Sequence, residues 1–191
     1  MEEREERREE SREEKREKGL SILIRQEEPA DYDEVYDLVK ASFSTSTSDG
    51  EWDYVNDVRK KDTFIPELSL VAVNKKEKIV GQIVLYETDI TMPNGRRTEL
   101  VLSPICVHPD YFRRGIARAM MERAFIIARE LGYTAVFLCG DPNFYHKIGF
   151  IASYEFGIYH IADGTHSAEY CMALELEKDS LRDIWGTICI Q

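Results

Sequence analysis

The sequence contains no run of about 20 apolar residues, the length that a helix needs to cross a bilayer. Met1 is followed by the charged run "EEREERREE" rather than an apolar segment, so we expect no secretory signal. The four cysteines form no C-x-x-C pair, and we therefore expect no metal site and no redox dithiol. Basic residues are also fewer than acidic residues. The formal net charge of -11 argues against nucleic acid or an anionic membrane as a partner. Together these absences predict a cytoplasmic protein with reduced thiols.

The chain divides by composition into two parts. Residues 1–19 are almost entirely Glu, Arg and Lys, and they carry no apolar stripe that could dock on a core. We expect this extension to be a solvated helix or disordered. Residues 20–191 are long enough to bury one core and show no internal repeat, so we predict a single domain.

Strand and helix patterns alternate along that domain. A strand "LSILIRQ" precedes an amphipathic helix in "PADYDEVYDLVKASF", with Asp31 as its expected N-cap. The segments "LSLVAVN" and "KIVGQIVLYETDI" predict a hairpin, and "RTELVLSPICV" predicts a long strand with a bulge or splay at Pro104. A helix from about Arg114 to Leu131 and the short strand "YTAVFLC" follow. This order predicts a mixed α/β (α+β) fold with antiparallel hairpins at both ends.

A small-residue turn at the start of that helix is flanked by three cations. Gly115 lies among Arg113, Arg114 and Arg118, where an apolar strand leads directly into the helix. The first N–H groups of a helix lack partners and point out of its end, and a glycine lets an anion approach the backbone closely. The pattern is neither G-x-G-x-x-G nor G-x-x-x-x-G-K-[ST]. The segment predicts an anion site, with a packing glycine and solvated arginines as the alternative.

The segment "VHPDYFRRGIARAMMERAF" resembles the acyl-CoA pyrophosphate loop of the GNAT superfamily of N-acetyltransferases, V-x-P-x-x-Q/R-x-x-G-x-G/A. The stretch "LGYTAVFLCGDPNFYHKIGF" is similar to the strand and F-Y-x-x-x-G-F segment that follow in that superfamily. It is most similar to a bacterial subgroup of predicted acetyltransferases with G-D-P before Y-x-x-x-G-F. The resemblance covers about residues 20–190. It implies the GNAT fold, a central mixed and mostly antiparallel sheet with flanking helices and a splay between the fourth and fifth strands.

The resemblance also implies a set of residues that bind acetyl-CoA as the acyl donor. Backbone N–H groups of the loop hold the pyrophosphate, the strand before it pairs with the pantetheine arm, and an Asn after the next strand contacts that arm. By position these are Ile105, Cys106, Val107, Arg113, Arg114, Gly115, Ile116, Ala117, Arg118 and Asn143. Phe112 departs from the superfamily, which usually has Gln or Arg there, so one side-chain contact to the cofactor is lost. We expect Arg113 or Arg114 to replace it.

The implied chemistry is direct attack of an amine on the thioester in a ternary complex. The N–H of Val107 is the expected oxyanion donor, and Tyr145 is the expected acid for the leaving thiolate. For removal of the amine proton we expect Glu99 acting through water, with His108 as the alternative. An alternative mechanism passes the acetyl group through an acyl-cysteine intermediate on a strand cysteine. The simpler interpretation is that the strand cysteines are small buried residues of the core.

The sequence therefore predicts an acyl-CoA-dependent N-acetyltransferase, a monomer or homodimer without a metal, acting on a small-molecule or peptide amine. The acceptor would be held by "SFSTSTSDGEW" and by loops after Gly149. One alternative is an acyl-CoA-binding or sensory module without catalysis. Another is an interaction domain that works through residues 1–18.

Overall fold

The structure is a computed structural model that describes residues 21–43, 51–161 and 168–190. The charged extension at residues 1–19 and the centre of the expected acceptor loop, residues 44–50, lie outside the described residues. None of the helices in these described ranges is long and apolar enough to cross a membrane.

Nine strands and four α-helices are assigned in the described ranges. The strands are β1 Ile22–Gln26, β2 Phe64–Asn74, β3 Ile79–Met92, β4 Gly95–Val107, β5 Ala135–Cys139, β6 Ile151–Ala152, β7 Ile158–His160, β8 Cys171–Glu175 and β9 Gly186–Ile188. The helices are α1 Tyr32–Phe43, α2 Glu51–Val58, α3 Ile116–Glu130 and α4 Pro142–Tyr145.

The strands form one mixed sheet in the order β1-β2-β3-β4-β5-β8-β6, with β9 pairing the end of β3 and also β7. Only the β4–β5 and β7–β9 pairs are parallel among those assigned. The long β3–β4 hairpin closes between Met92 and Gly95 across two residues, Pro93 and Asn94. This mostly antiparallel sheet with flanking helices confirms the predicted fold class.

Side chains on alternate positions of β2 divide the core between the two faces of the sheet. Leu70 and Ala72 pack on the face covered by α3, whereas Val71 and Val73 pack under α1. Helix α3 is amphipathic because apolar residues recur at helical spacing. Its buried residues are Ile116, Met120, Met121, Ala124, Phe125 and Ala128.

β4 separates from β5 halfway along its length. The two strands pair only at Leu100–Val136 and Val101–Phe137. β4 nevertheless stays on β3 to its end, although its register slips by one residue between Leu102 and Ile105. The extra residue is a bulge around Pro104, which has no N–H for the ladder. The splay predicted between the fourth and fifth strands is therefore present.

Candidate functional site

A tight loop joins β4 to α3, and two of its residues have a left-handed backbone conformation. After the 3-10 turn Pro109–Tyr111, Arg113 has a φ of 59° and Gly115 a φ of 78° with ψ 2°. Left-handed residues among right-handed or extended ones turn successive N–H groups toward one side, forming an anion-binding concavity. A positive φ is uncommon for an arginine, so the loop holds Arg113 in a conformation that costs free energy.

The donors of this concavity have no internal acceptor. The first hydrogen bond of α3 runs from the N–H of Ala119 to the carbonyl of Gly115, at 3.0 Å. Within the described ranges, none of the N–H groups of residues 113–118 donates to a protein acceptor. A β-carbon built on Gly115 would have no atom within 4 Å, so a side chain at this position would enter open space beside the loop. The positive end of the α3 dipole adds to the attraction for an anion.

The three arginines around the loop are all exposed. Arg118 is paired with Glu122 one turn along α3, at 2.9 Å, and such exposed pairs are weak enough to rearrange. Arg114 lies over the ring of Tyr111 at 5.3 Å, which orients its guanidinium beside the loop. The loop is therefore locally basic on an acidic protein.

Where β4 has separated from β5, alternate residues of β4 direct their backbone groups away from β3. The N–H of His108 donates to the carbonyl of Val80, so this facing pair is a hydrogen-bonded one. Hydrogen-bonded and non-bonded pairs alternate along an antiparallel ladder. The backbone groups of Ile105 and Val107 therefore point away from β3, whereas Cys106 pairs with Gln82 of β3. The carbonyl of Val107 accepts the hydroxyl of Ser42 in α1 at 3.2 Å, so this carbonyl is already used.

Cys106 differs from the expectation that it contacts the pantetheine arm, because its backbone is committed to β3 and its thiol is buried under α1. Burial raises the pKa of this thiol to about 12. The pKa of Cys139 is also raised well above its usual range, by burial and by the neighbouring Cys171 thiol. Neither thiol is ionised near neutral pH, which argues against an acyl-cysteine route.

Tyr145 and Ile105 both pack against the core cluster on the α3 side of the sheet. Its ring makes edge contacts with Phe144 and Phe150, at centroid distances of 4.9 and 5.6 Å. Burial raises the pKa of Tyr145 to about 12, so the phenol is protonated at neutral pH. The geometry thus favours a proton donor at this position.

Asn143 belongs to the turn that positions Tyr145. The carboxylate of Asp141 caps α4 by accepting from the N–H of Asn143 at 2.9 Å, and from its side-chain amide at 3.0 Å. Asn143 is exposed in this turn, and its contact with the pantetheine arm stays a prediction.

Glu99 lies elsewhere, and its geometry does not favour the role of base. Its carboxylate is 2% exposed and accepts hydrogen bonds from Arg97, from the hydroxyl and N–H of Thr134, and from the N–H of Ala135. It lies six residues before Ile105, roughly 20 Å along an extended strand. Both oxygens are used to join the start of β5 to β4, so we assign Glu99 a structural role.

The histidine alternative is also tied to local structure. Nδ1 of His108 accepts the N–H of Asp110 at 3.2 Å and so caps the turn Pro109–Tyr111. This contact fits a residue that shapes the anion loop rather than one that removes a proton from the acceptor.

Two tyrosines on the face opposite α3 were not singled out by the sequence. The hydroxyls of Tyr54 and Tyr86 lie 2.7 Å apart, and Tyr54 also shares a hydrogen bond with Ser103, at the bulge where the splay opens. Burial raises the pKa of both phenols, so both are neutral. The only signal in the sequence is the alternation that places Val84 and Tyr86 on one face of β3.

Comparisons with known proteins agree with this geometry. The family model described as an acetyltransferase (GNAT) domain matches residues 23–152. A GNAT family N-acetyltransferase from Escherichia coli, solved in complex with CoA, is 25% identical, with 91% of each chain covered and a TM-score of 0.80.

Two further structures support the fold alone, at lower identity. A GNAT family acetyltransferase from Brucella melitensis, in complex with acetyl-CoA, is 22% identical over 90% of this chain and 96% of that chain, with a TM-score of 0.70. Naa20 from Chaetomium thermophilum, in complex with a bisubstrate analogue, is 19% identical over 87% and 96%, with a TM-score of 0.60. No curated protein matches the chain.

Proposed function

The chain belongs to the GNAT acetyltransferase family, and we propose that it transfers the acetyl group of acetyl-CoA to an amine by direct attack in a ternary complex. The strongest support is the joint presence of the open concavity at residues 113–118 and the free β4 edge that leads to it. A pyrophosphate and a pantetheine arm need these two features side by side.

The donor binds along these two features. The N–H groups from Arg113 through Ile116 and Ala117 to Arg118 hold the pyrophosphate, and the exposed guanidinium groups of Arg113 and Arg114 add charged contacts. They replace the side-chain contact that Phe112 lacks. Ile105 pairs with the pantetheine arm as an added strand does, and Asn143 contacts the same arm from the other side of the splay.

The reaction uses the backbone of β4 and the phenol of Tyr145. The amine attacks the thioester carbonyl, and the N–H of Val107 stabilises the oxyanion. The carbon–sulfur bond then breaks, Tyr145 gives its proton to the leaving thiolate, and the resulting phenolate regains a proton from solvent. The attacking amine loses its proton to water, for which the hydroxyls of Tyr54, Tyr86 and Ser103 are nearby hydrogen-bonding partners.

We further propose that residues 20–191 form one catalytic domain, acting in the cytoplasm as a monomer or homodimer on a small-molecule or peptide amine. The net charge of -11 favours a cationic acceptor over nucleic acid or an anionic membrane.

The test is turnover of acetyl-CoA by the full chain with a library of primary amines and short peptides. Released CoA thiol is measured, and the acetylated product is identified by mass spectrometry. Turnover that needs a particular amine supports the proposal. Tight binding of acetyl-CoA without turnover on any amine would favour the second candidate, an acyl-CoA-binding module, for which the departure at Phe112 is the specific observation.

A further inference from the structure

Two cysteines and a histidine meet at the ends of three strands, away from the anion loop. Cys139 ends β5, Cys171 begins β8 and His160 ends β7. One potential ligand atom from each lies within 4.8 Å of those of the other two. The Sγ atoms of the two cysteines are 3.0 Å apart, and both cysteines are free thiols.

The backbone alone brings the two sulfur atoms together. Cys139 faces Cys171 directly in the antiparallel β5–β8 pair. The next facing pair is hydrogen-bonded, because the N–H of Gly140 donates to the carbonyl of Tyr170 at 2.9 Å. Cys139 and Cys171 therefore form a non-hydrogen-bonded pair, the kind in which facing side chains lie closest.

His160 is held by the neighbouring strand in an orientation suited to a ligand. Its Nδ1 lies 3.2 Å from the carbonyl of Ile188. A proton on Nδ1 makes this contact a hydrogen bond and leaves the lone pair on Nε2, the arrangement that metal-binding histidines usually adopt. The N–H of Ile190, two residues beyond β9, also approaches Nδ1, at 3.3 Å, and it donates to Nδ1 only in the tautomer with the proton on Nε2. Metal binding at Nε2 therefore requires the other tautomer, in which Nδ1 donates to Ile188.

A cavity gives access to the cluster. Its volume is about 110 Å³, and its walls include His160, Cys171 and Ser153. One water molecule needs roughly 10–15 Å³ of such cavity volume, so this space has room for an ion to enter and for a further ligand.

We propose that Cys139, Cys171 and His160 form a binding site for a thiophilic divalent cation, Zn²⁺, whose fourth position opens to the cavity. Two thiolates and an imidazole are a ligand set that Zn²⁺ prefers, and binding releases the two thiol protons. Tetrahedral Zn–S bonds of about 2.3 Å require the sulfur atoms to move somewhat apart from their present spacing. No C-x-x-C pair marks these ligands in the sequence, because sheet pairing, rather than local spacing, brings them together.

The site belongs to the same face of the sheet as the tyrosine pair. Cys139 and Tyr54 pack against one cluster, which also contains Tyr86, Ile158 and Cys171. A bound ion would therefore join the ends of β5, β7 and β8 on the side opposite α3. This proposal does not depend on acetyl transfer, and its test needs no activity measurement.

The experiment is a titration of the full chain, freed of metal with a chelator under reducing conditions, with Co²⁺ as a spectroscopic probe. We expect one ion per chain, with a thiolate-to-cobalt charge-transfer band and the strong visible absorption of tetrahedral Co²⁺, both removed by added Zn²⁺. Cys139→Ser, Cys171→Ser and His160→Asn should each weaken binding at least about 100-fold. Cys189→Ser, which alters an exposed cysteine outside the cluster, is the matched control and should leave the titration unchanged.

The thermal unfolding of the unmodified chain gives a second measurement that does not depend on the variants folding. Zn²⁺ should raise its Tm and a chelator should reverse the change. Absence of a thiolate band, or equal binding by the three cluster variants, would overturn the proposal. So would metal-free protein in which mass spectrometry and thiol counting find a Cys139–Cys171 disulfide that excludes the ion.

Discussion

The ring of Tyr145 occupies the space that a side chain on Gly140 would need. A β-carbon at position 140 would collide with Cε2 of that ring and lie 3.0 Å from Cδ2. The glycine directly after β5 therefore lets α4 fold back so that the phenol ring lies against the end of that strand. The proposed acid depends on a neighbour that carries no functional group of its own.

Gly140→Ala should lower kcat by about 10²-fold, because it displaces the phenol while leaving the anion loop intact. Acetyl-CoA affinity should stay nearly unchanged. In a Tyr145→Phe background the same glycine substitution should cost little further in kcat, since Gly140 acts through the position of that hydroxyl. Steady-state kinetics of the two single variants and the double variant check this. Fully additive losses would mean that Gly140 acts by another route.

Tyr145→Phe should lower kcat by about 10²-fold or more while acetyl-CoA still binds. The neutral phenol is the form that gives a proton, and it is present below its pKa, which burial raises to about 12. Ionisation of Tyr145 should therefore cause no loss of kcat on the alkaline side until the pH approaches 12. The pH profiles of the native chain and the variant check this expectation.

Tyr133→Phe is the matched control for Tyr145→Phe. Tyr133 is also a phenol of raised pKa, but its hydroxyl donates to Glu87 at 2.5 Å. Its replacement should lower stability and spare kcat. An unchanged kcat in Tyr145→Phe would show that water protonates the thiolate.

Gly115→Val should abolish measurable acetyl-CoA binding, because its side chain would fill the open space beside the loop donors. Gly132→Val is the control at the other end of α3. Gly132 also has a positive φ, 92°, and open space at its β-carbon position. Each substitution should cost about 1–2 kcal/mol of stability through backbone strain. Titration calorimetry and thermal unfolding separate the effects, and equal affinity in both variants would contradict the loop assignment.

Glu99→Gln should lower the free energy of unfolding by about 3 kcal/mol, because it leaves Arg97 beside a neutral group and disturbs the contacts that join β4 to β5. kcat should be retained below the new Tm. Glu122→Gln, which removes the exposed partner of Arg118, should cost less than about 1 kcal/mol. Urea unfolding and kinetics measure both. A kcat loss without a stability loss would restore Glu99 as the base.

Local signals in the sequence were sufficient for much of the fold. Pro104 cannot donate to a ladder, and it marks the bulge where β4 leaves β5. Gly115 in front of an amphipathic run marks the loop and the start of α3. Leu131, expected as the last residue of that helix, is instead its C-cap and is 46% exposed. The helix stops at Glu130, so the helical period no longer applies there.

Contacts between distant segments could not be predicted in this way. Asp31 was expected to cap α1, but a 3-10 turn precedes that helix, and its carboxylate pairs with both guanidinium nitrogens of Arg25, at 2.6 and 2.8 Å. Glu99 has the residue type of a base, and only the approach of Thr134 reveals its structural role. Such pairings depend on strand register and not on spacing along the chain.

The central claim is that the loop at residues 113–118 binds an acyl-CoA, and titration calorimetry of the full chain with acetyl-CoA tests it most directly. Free CoA and 3′-dephospho-CoA serve as comparisons. We expect micromolar binding of acetyl-CoA and CoA, and weaker binding without the 3′-phosphate because the exposed arginines lose a charged contact. Absence of binding to all three ligands would rule out an acyl-CoA site at this loop and leave only the fold.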